Sequence, residues 1–223
     1  MNAQQNITSS GKKLQKYQGW CSMTYRNRAL CRVFEQLSLN AAQHGIPSCI
    51  VEEAKGIYKR VSEACITRGD NRRAVIAVCM YVSCKKNGVP RSIKEIGAMF
   101  GIESAAMTKA THTVQHVILD ADATSSEPSD FSGRFCCKMG LSEEATRMVN
   151  TVIKRADELQ LVCNAMPPSI VGGSILMVNN ILGLGLSKQT VASICMVAPT
   201  TVVKMCKRLE GSLNTNKLFT PPL

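Results

Sequence analysis

The sequence predicts an all-α protein made of two tandem five-helix repeats, each ending in a pair of short helices similar to a helix-turn-helix. Apolar residues make up 45% of the 223 residues and aromatic residues only 4%, a balance that favours packed helices over a β-sandwich. Along most of the chain, apolar residues recur at spacings of three and four, the period of an amphipathic helix. The same order of helices and breaks returns after a shift of 95 residues, which indicates an internal repeat.

Five helices are predicted in the first half of the chain, each bounded by a residue that caps or breaks a helix. The first begins near Asn27 and ends at Gly45, and Pro47 opens the second. The third is so apolar that we expect it to be buried on nearly all sides. The predicted ranges are 27–45, 47–67, 72–87, 92–100 and 104–119.

A small, polar and acidic stretch at residues 121–129 is typical of a linker. Beyond it, the shift of 95 residues places Gly45 on Gly140 and Gly88 on Gly183. The matched breaks, more than the few identities, predict a duplicated helical unit. The predicted organisation is a basic flexible lead-in at 1–26, a first repeat at 27–120, the linker at 121–129, a second repeat at 130–212 and a tail at 213–223.

The net charge of the chain is +11, and +9 of it lies in residues 1–120. Such a basic balance favours a polyanionic partner, so we expect the first half to contribute more of the electrostatic attraction. Each terminal helix pair also begins with small hydroxyl residues, at Ser92 and Ser104 in the first half and at Ser187 and Thr200 in the second. Helix N-termini of this kind suit contacts with phosphates and base edges.

Eleven cysteines are spread along the chain without a C-x2-C pair, and only three histidines accompany them. This pattern predicts free, mostly buried thiols in a reducing compartment rather than a zinc site or a disulfide scaffold. No signal peptide or membrane-spanning segment is expected, and no Ser/His/Asp or Cys/His set stands out. We therefore expect a protein that has no membrane partner and is not an enzyme.

Two stretches of the sequence carry a family resemblance. Residues 87–96 read Asn-Gly-Val-Pro-Arg-Ser-Ile-Lys-Glu-Ile, and residues 129–137 read Ser-Asp-Phe-Ser-Gly-Arg-Phe-Cys-Cys. They resemble the start of the fourth helix and the opening of the second repeat in the core of general transcription factor IIB. The resemblance extends over about residues 27–212, including the buried third helix. It implies that both repeats have the cyclin-like fold.

The resemblance also implies a function, that of a general transcription initiation factor in the nucleus, which we expect to act as a monomer. The core of this family binds the complex of TATA-binding protein and promoter DNA and helps recruit RNA polymerase II in a fixed direction. The implied contacts with TATA-binding protein are Arg91 and Lys94. The implied contacts with DNA are Arg68, Gly69, Arg72, Arg73, Lys109, Thr200, Thr201, Lys204 and Lys207.

Some positions depart from the family pattern. Val203 stands where the family has an arginine that contacts a base, and valine cannot form the arginine–guanine pair that contributes about 1–3 kcal/mol of discrimination. This argues against sequence-specific reading of the upstream promoter element. Asp70 replaces a basic residue, and the loop at 164–168 lacks one. No set of four metal ligands precedes residue 27, so we expect neither the family's zinc ribbon nor any other cofactor in this chain.

Two other functions stay open. A cyclin proper has the same fold, but it binds and activates a protein kinase without touching DNA. A factor IIB paralogue could instead serve another polymerase or a restricted promoter class, which Val203 and the missing ribbon allow. The net charge, the two family-like segments and the basic loop at 68–73 favour the promoter scaffold over the kinase subunit.

Overall fold

A computed structural model describes residues 9–118 and 126–212 of the chain. Within those ranges it contains eleven α-helices and no strand, which confirms the all-α prediction. Buried apolar side chains form two separate cores, one within residues 33–118 and the other within residues 131–209. Residues 121–125 of the predicted linker and the whole predicted tail at 213–223 lie outside the described residues.

The first helix, α1, spans Ser9–Ser22. The flexible lead-in predicted at 1–26 includes this helix, and its flexibility stays a prediction, while residues 1–8 lie outside the described range. Lysine, glutamine and leucine are good helix formers and no proline interrupts the run, which favours a helix, whereas Gly11 and Gly19 oppose it. The side chains of Leu14 and Tyr17 are 62% and 70% exposed. Helix α1 thus forms without joining either core.

The first repeat consists of α2 (Tyr25–Gln43), α3 (Ser48–Ala64), α4 (Gly69–Lys86), α5 (Ile93–Phe100) and α6 (Ser104–Val117). Helix α4 lies at its centre and contacts the other four helices. Every side chain from Ala74 to Met80 is buried, as the apolar sequence predicts. The buried hydroxyl of Ser83 donates a hydrogen bond of 2.6 Å to the carbonyl of Ile50, which satisfies the polar group inside the core.

The second repeat consists of α7 (Ser129–Lys138), α8 (Glu143–Glu158), α9 (Pro167–Leu182), α10 (Lys188–Cys195) and α11 (Pro199–Ser212). Helix α9 is the central one, buried from Pro168 to Asn179. A Cβ atom added at Gly173 would lie 2.4 Å from Cγ of Met205 on α11. The missing side chain therefore allows α9 and α11 to approach closely.

Four glycines related by the shift of 95 residues share one backbone conformation. Gly45 and Gly140 have φ values of 63° and 66°, and Gly88 and Gly183 have φ values of 68° and 62°. All four end a helix in the left-handed region, which glycine adopts without a steric penalty. These two glycine pairs, among the few identities between the repeats, therefore lie at positions where the backbone favours glycine.

The short helix pairs at the end of each repeat are built alike. Ser92 and Ser187 are the N-caps of α5 and α10, and each hydroxyl accepts a hydrogen bond from the backbone N–H three residues later, at 3.1 and 3.0 Å. Gly101 ends α5 with φ 62°, while Met196 ends α10 at the matching position with φ 53°. Each pair is therefore a capped helix, a left-handed turn and a second helix.

In the described part of the chain, no single helix is both long and apolar enough to cross a membrane. Helices α10 and α11 pass that test only when taken together, by length and composition, and they are bent by 106° at their junction. A bend of this size is typical of a helix-turn-helix pair.

Candidate nucleic-acid interface

A buried ion pair joins the two repeats. Glu95, in the first turn of α5, is 3% exposed, and its carboxylate accepts hydrogen bonds from Arg134 of α7. Arg134 also donates a hydrogen bond of 3.0 Å to the carbonyl of Pro90. The Glu95 carboxylate further accepts a hydrogen bond of 2.9 Å from the backbone N–H of Ser92. The pair therefore fixes the start of α5 against α7, where the segments 87–96 and 129–137 meet.

The surroundings of Arg134 keep this pair charged. Its guanidinium carbon lies 5.6 Å from the ring centre of Phe131 and 5.1 Å from that of Phe135, close enough for cation–π attraction. Burial raises the pKa of Glu95, but the hydrogen bonds from Arg134 and from Ser92, with nearby positive charge, outweigh burial and lower the pKa below its usual range. The carboxylate is therefore ionised at neutral pH.

A groove of about 390 Å³ lies beside the ion pair, and we call it the inter-repeat groove. Its walls come from both repeats, with Ile93 of α5 on one side and Phe131, Met166 and Met196 on the other. Met166 and Met196 are 68% and 38% exposed. Flexible, polarisable side chains of this kind suit an adaptable binding surface.

Both residues predicted to contact TATA-binding protein line the inter-repeat groove. Lys94 is exposed, whereas Arg91 is half-buried, and its Nε atom is buried without a hydrogen-bond partner among the described residues. Burial and the charge of Arg134 lower the pKa of Arg91. A carboxylate entering the groove would offset both effects, so the groove suits a partner that presents acidic and apolar side chains together.

The predicted DNA contacts at 68–73 lie around the N-terminus of α4. Arg68 is the N-cap residue and Gly69 begins the helix with φ 55°; both are exposed. Arg73 is also exposed, and its Nη1 atom lies 3.5 Å from a carboxylate oxygen of Asp70. A surface pair of this kind contributes little, so Arg68 and Arg73 keep most of their positive potential.

Arg72 differs from its neighbours because it turns towards the protein. Its Nε atom donates a hydrogen bond of 3.0 Å to the Tyr58 hydroxyl, and its Nη2 atom donates one of 3.4 Å to the Ala29 carbonyl. Arg72 therefore ties α4 to α2 and α3 and offers only its remaining N–H groups to a ligand.

The other predicted DNA contacts are exposed and lie on the second helix of each terminal pair. Lys109 is on α6, and the contacts on α11 are Thr200, Thr201, Lys204 and Lys207. Val203 is half-buried and packs against the second core. The exposed face of α11 therefore offers hydroxyls and ammonium groups but no arginine at the position of Val203.

In residues 9–118 and 126–212, no group of three or more His, Cys, Asp or Glu residues could hold a metal ion. Burial raises the pKa of Cys84 to about 11 and that of Cys195 to about 12, so both thiols stay protonated at neutral pH. All eleven cysteines are free, as predicted. Five of them are buried and two are half-buried, while Cys21, Cys49, Cys137 and Cys163 are exposed.

Sequence analysis missed the pairing of Glu95 with Arg134, although both residues lie inside the two family-like segments. A signal was present, since each is a charged residue among apolar neighbours at the register of a buried helix face. Such a residue in a core needs a partner of opposite charge. Because Glu95 and Arg134 are 39 residues apart in the sequence, no local pattern identifies them as partners.

The described chain is thus a helical protein of two five-helix repeats with exposed cations on both and a groove between them. Residues 26–115 match the transcription factor TFIIB repeat family. Over 221 residues the chain is 28% identical to a protein of Acanthamoeba polyphaga mimivirus described as transcription initiation factor IIB-like, covering 91% of this chain and 48% of that protein. Over 190 residues it is 28% identical to transcription initiation factor IIB of Drosophila melanogaster, covering 84% and 59%.

These similarities confirm the predicted resemblance to the core of transcription factor IIB. It spans about half the length of the curated relatives it matches. Among solved structures, a chain of the yeast RNA Pol II CTD kinase CTDK-1 complex is 14% identical with a TM-score of 0.39, covering 88% of this chain and 69% of that one. A likeness this low carries no argument about function. The relatives are named as transcription initiation factors, and the absence of enzymatic activity stays a prediction.

Proposed function

We propose that this chain is a promoter scaffold that binds TATA-binding protein on promoter DNA and helps recruit RNA polymerase II in a fixed direction. The inter-repeat groove is the observation that carries the proposal, because it holds Arg91 with an unpartnered buried Nε atom beside exposed methionines. The stirrup of TATA-binding protein, which the family resemblance implies to be acidic, would pair with Arg91 and Lys94. Its apolar side chains would cover Met166 and Met196.

Promoter DNA would lie against the exposed cations of both repeats. On the first repeat these are Arg68, Arg73 and Lys109, and on the second they are Lys204 and Lys207. Phosphate contacts of this kind give affinity that depends on salt and not on sequence, and the hydroxyls of Thr200 and Thr201 would add positioning contacts. Because Val203 cannot read guanine, we infer that TATA-binding protein and DNA shape set the position of the chain on the promoter.

The Arg91→Ala substitution tests the role of the groove. We expect it to weaken the complex of this chain, TATA-binding protein and TATA-containing DNA about tenfold or more, because a hydrogen bond to a charged group contributes about 1.5–3 kcal/mol. Lys59→Ala is the matched control, since it removes one positive charge from the exposed face of α3, away from the groove. Gel-shift titration measures the affinity, and thermal unfolding checks that both variants are folded. Equal affinities for the two variants would remove the groove from the interface.

Polymerase choice and location follow from the same proposal and need their own tests. In a reconstituted transcription assay, we expect the chain to support initiation by RNA polymerase II when it is supplied with the family's zinc ribbon. We expect a nuclear location and a monomeric protein for this role. One relative is viral, so imaging in infected and uninfected cells is the appropriate test of location. A protein that binds a kinase but forms no complex with TATA-binding protein would instead support the cyclin alternative.

A further inference from the structure

A second groove lies on the first repeat, between α2 and α4, and encloses about 460 Å³. We call it the arginine groove. On the α2 side its lining begins at Tyr25 and ends at Gln36, and on the α4 side it includes Arg72 and Arg73. The eleven steps of about 1.5 Å from Tyr25 to Gln36 give a length of roughly 17 Å. The arginine groove is therefore elongated and suits an extended ligand.

The arginine groove is strongly positive. Arg28 and Arg32 of α2 face Arg72 and Arg73 of α4 across it, and no acidic side chain belongs to its described lining. The Nε atom of Arg28 is buried and has no hydrogen-bond partner within the described residues. Arg72 is held in place by the Tyr58 hydroxyl and the Ala29 carbonyl. Guanidinium groups arranged in advance of binding suit phosphate oxygens.

Aromatic side chains lie in and beside the arginine groove. Tyr25 lines the groove and is 82% exposed. The guanidinium carbon of Arg32 lies 5.9 Å from the ring centre of Trp20 on α1, and Tyr17 on the same helix is 70% exposed. The chain has only one tryptophan and four tyrosines, and two of these five rings, the exposed Tyr25 and the half-buried Trp20, lie beside the arginines.

We propose that the arginine groove binds a single strand of nucleic acid. The arginines would hold successive backbone phosphates while bases stack on Tyr25 and, further along, on Trp20, the combination that single-strand-binding proteins use. A base can stack on Tyr25 only when it is not already paired and stacked inside a duplex, so the exposed ring favours a single strand. A phosphorylated peptide would satisfy the arginines but would leave the aromatic rings without a role. The site does not depend on the promoter-scaffold proposal.

Fluorescence anisotropy with the full chain and a labelled oligothymidine of about 12 nucleotides tests this proposal without TATA-binding protein. We expect Tyr25→Ala to weaken binding about fivefold or more, because stacking one base on an aromatic ring contributes about 1–3 kcal/mol. Arg32→Ala should weaken binding and lower the salt slope by about 0.7 for the lost phosphate contact. The controls are Leu39→Ala on the exposed face of α2 and Arg60→Ala on α3, both outside the groove lining.

Three results would overturn the proposal. The first is a loss of duplex affinity in Tyr25→Ala and Arg32→Ala that is as large as their loss of oligothymidine affinity, which would make the groove part of the duplex interface. The second is unchanged affinity in Tyr25→Ala together with loss in Arg32→Ala and tight binding of a phosphoserine peptide, which would identify a phosphopeptide site. The third is equal loss in the groove variants and in their controls. Because a failed promoter complex would leave oligothymidine binding intact, the two proposals fail separately.

Discussion

Removing the positive partner of Glu95 should destabilise the protein strongly. The Arg134→Met substitution keeps an unbranched side chain against Phe131 and Phe135, but it leaves the carboxylate of Glu95, 3% exposed, without its guanidinium. Breaking a buried pair from one side costs about 3–5 kcal/mol. Because the Arg134 side chain is 18% exposed and water can partly replace it, we expect about 3–4 kcal/mol. For a protein of this size, the melting temperature should fall by about 6–16 °C.

This destabilisation should depend on pH. Although burial raises the pKa of Glu95, hydrogen bonds from Arg134 hold it below its ordinary value of 4.5. The stabilisation by the pair is therefore fully present above that ordinary value and is lost as the pH falls through the folded-state pKa. In Arg134→Met the hydrogen bond from Ser92 and the charge of Arg91 remain, but the larger contribution of Arg134 against burial is lost. Glu95 therefore takes up a proton more readily, and the unpaired charge is relieved. The stability gap between the two proteins should narrow between about pH 7 and pH 4.

Urea unfolding followed by circular dichroism measures this gap at both pH values. The double variant Glu95→Gln with Arg134→Met is the control, because it removes the buried charge with its partner and should be more stable than Arg134→Met at neutral pH. A loss below about 1 kcal/mol at neutral pH, the range of an exposed pair, would refute the reasoning. So would a gap that does not change with pH.

Two further predictions concern the DNA-facing surface and the second core. Arg68→Glu should lower the salt slope of DNA binding by about one, as expected for one lost phosphate contact, while Lys59→Glu on α3 should leave the slope unchanged in the same titrations. Gly173→Ala should destabilise the protein by about 1–3 kcal/mol through overpacking, since the new Cβ would lie 2.4 Å from Cγ of Met205. Gly133→Ala, also in a helix but with nothing within 4 Å of the added atom, should be neutral or slightly stabilising in thermal unfolding; equal effects would contradict the packing argument.

Local sequence signals were sufficient to predict most of the fold. The Ser92 cap, the glycine at 101 and the breaks at 45 and 88 fall where the structure ends or begins helices. These signals act over one or two helical turns, so a single sequence displays them directly. The helix at 9–22 was not predicted, because its polar sequence lacks the apolar period of three and four residues that marks a packed helix face.

The sites were harder to predict because they combine residues that are distant in sequence. Helix α4 is buried on nearly all sides, so its periodicity does not show that Arg72 turns inward while Arg73 stays exposed. The arginine groove combines Arg28 with residues more than forty positions later. Such pairings are set by helix packing rather than by local pattern. The family-like segments marked the start of the fourth helix and the opening of the second repeat, but not that Glu95 and Arg134 bind each other there.

The most direct test of the central proposal is a gel-shift titration on TATA-containing DNA, with and without TATA-binding protein, at two salt concentrations. The promoter-scaffold proposal predicts a new band that requires this chain, TATA-binding protein and DNA together, and that weakens as salt rises because phosphate contacts release counterions. Binding that is equally strong with and without TATA-binding protein, or no binding in either case, would contradict it.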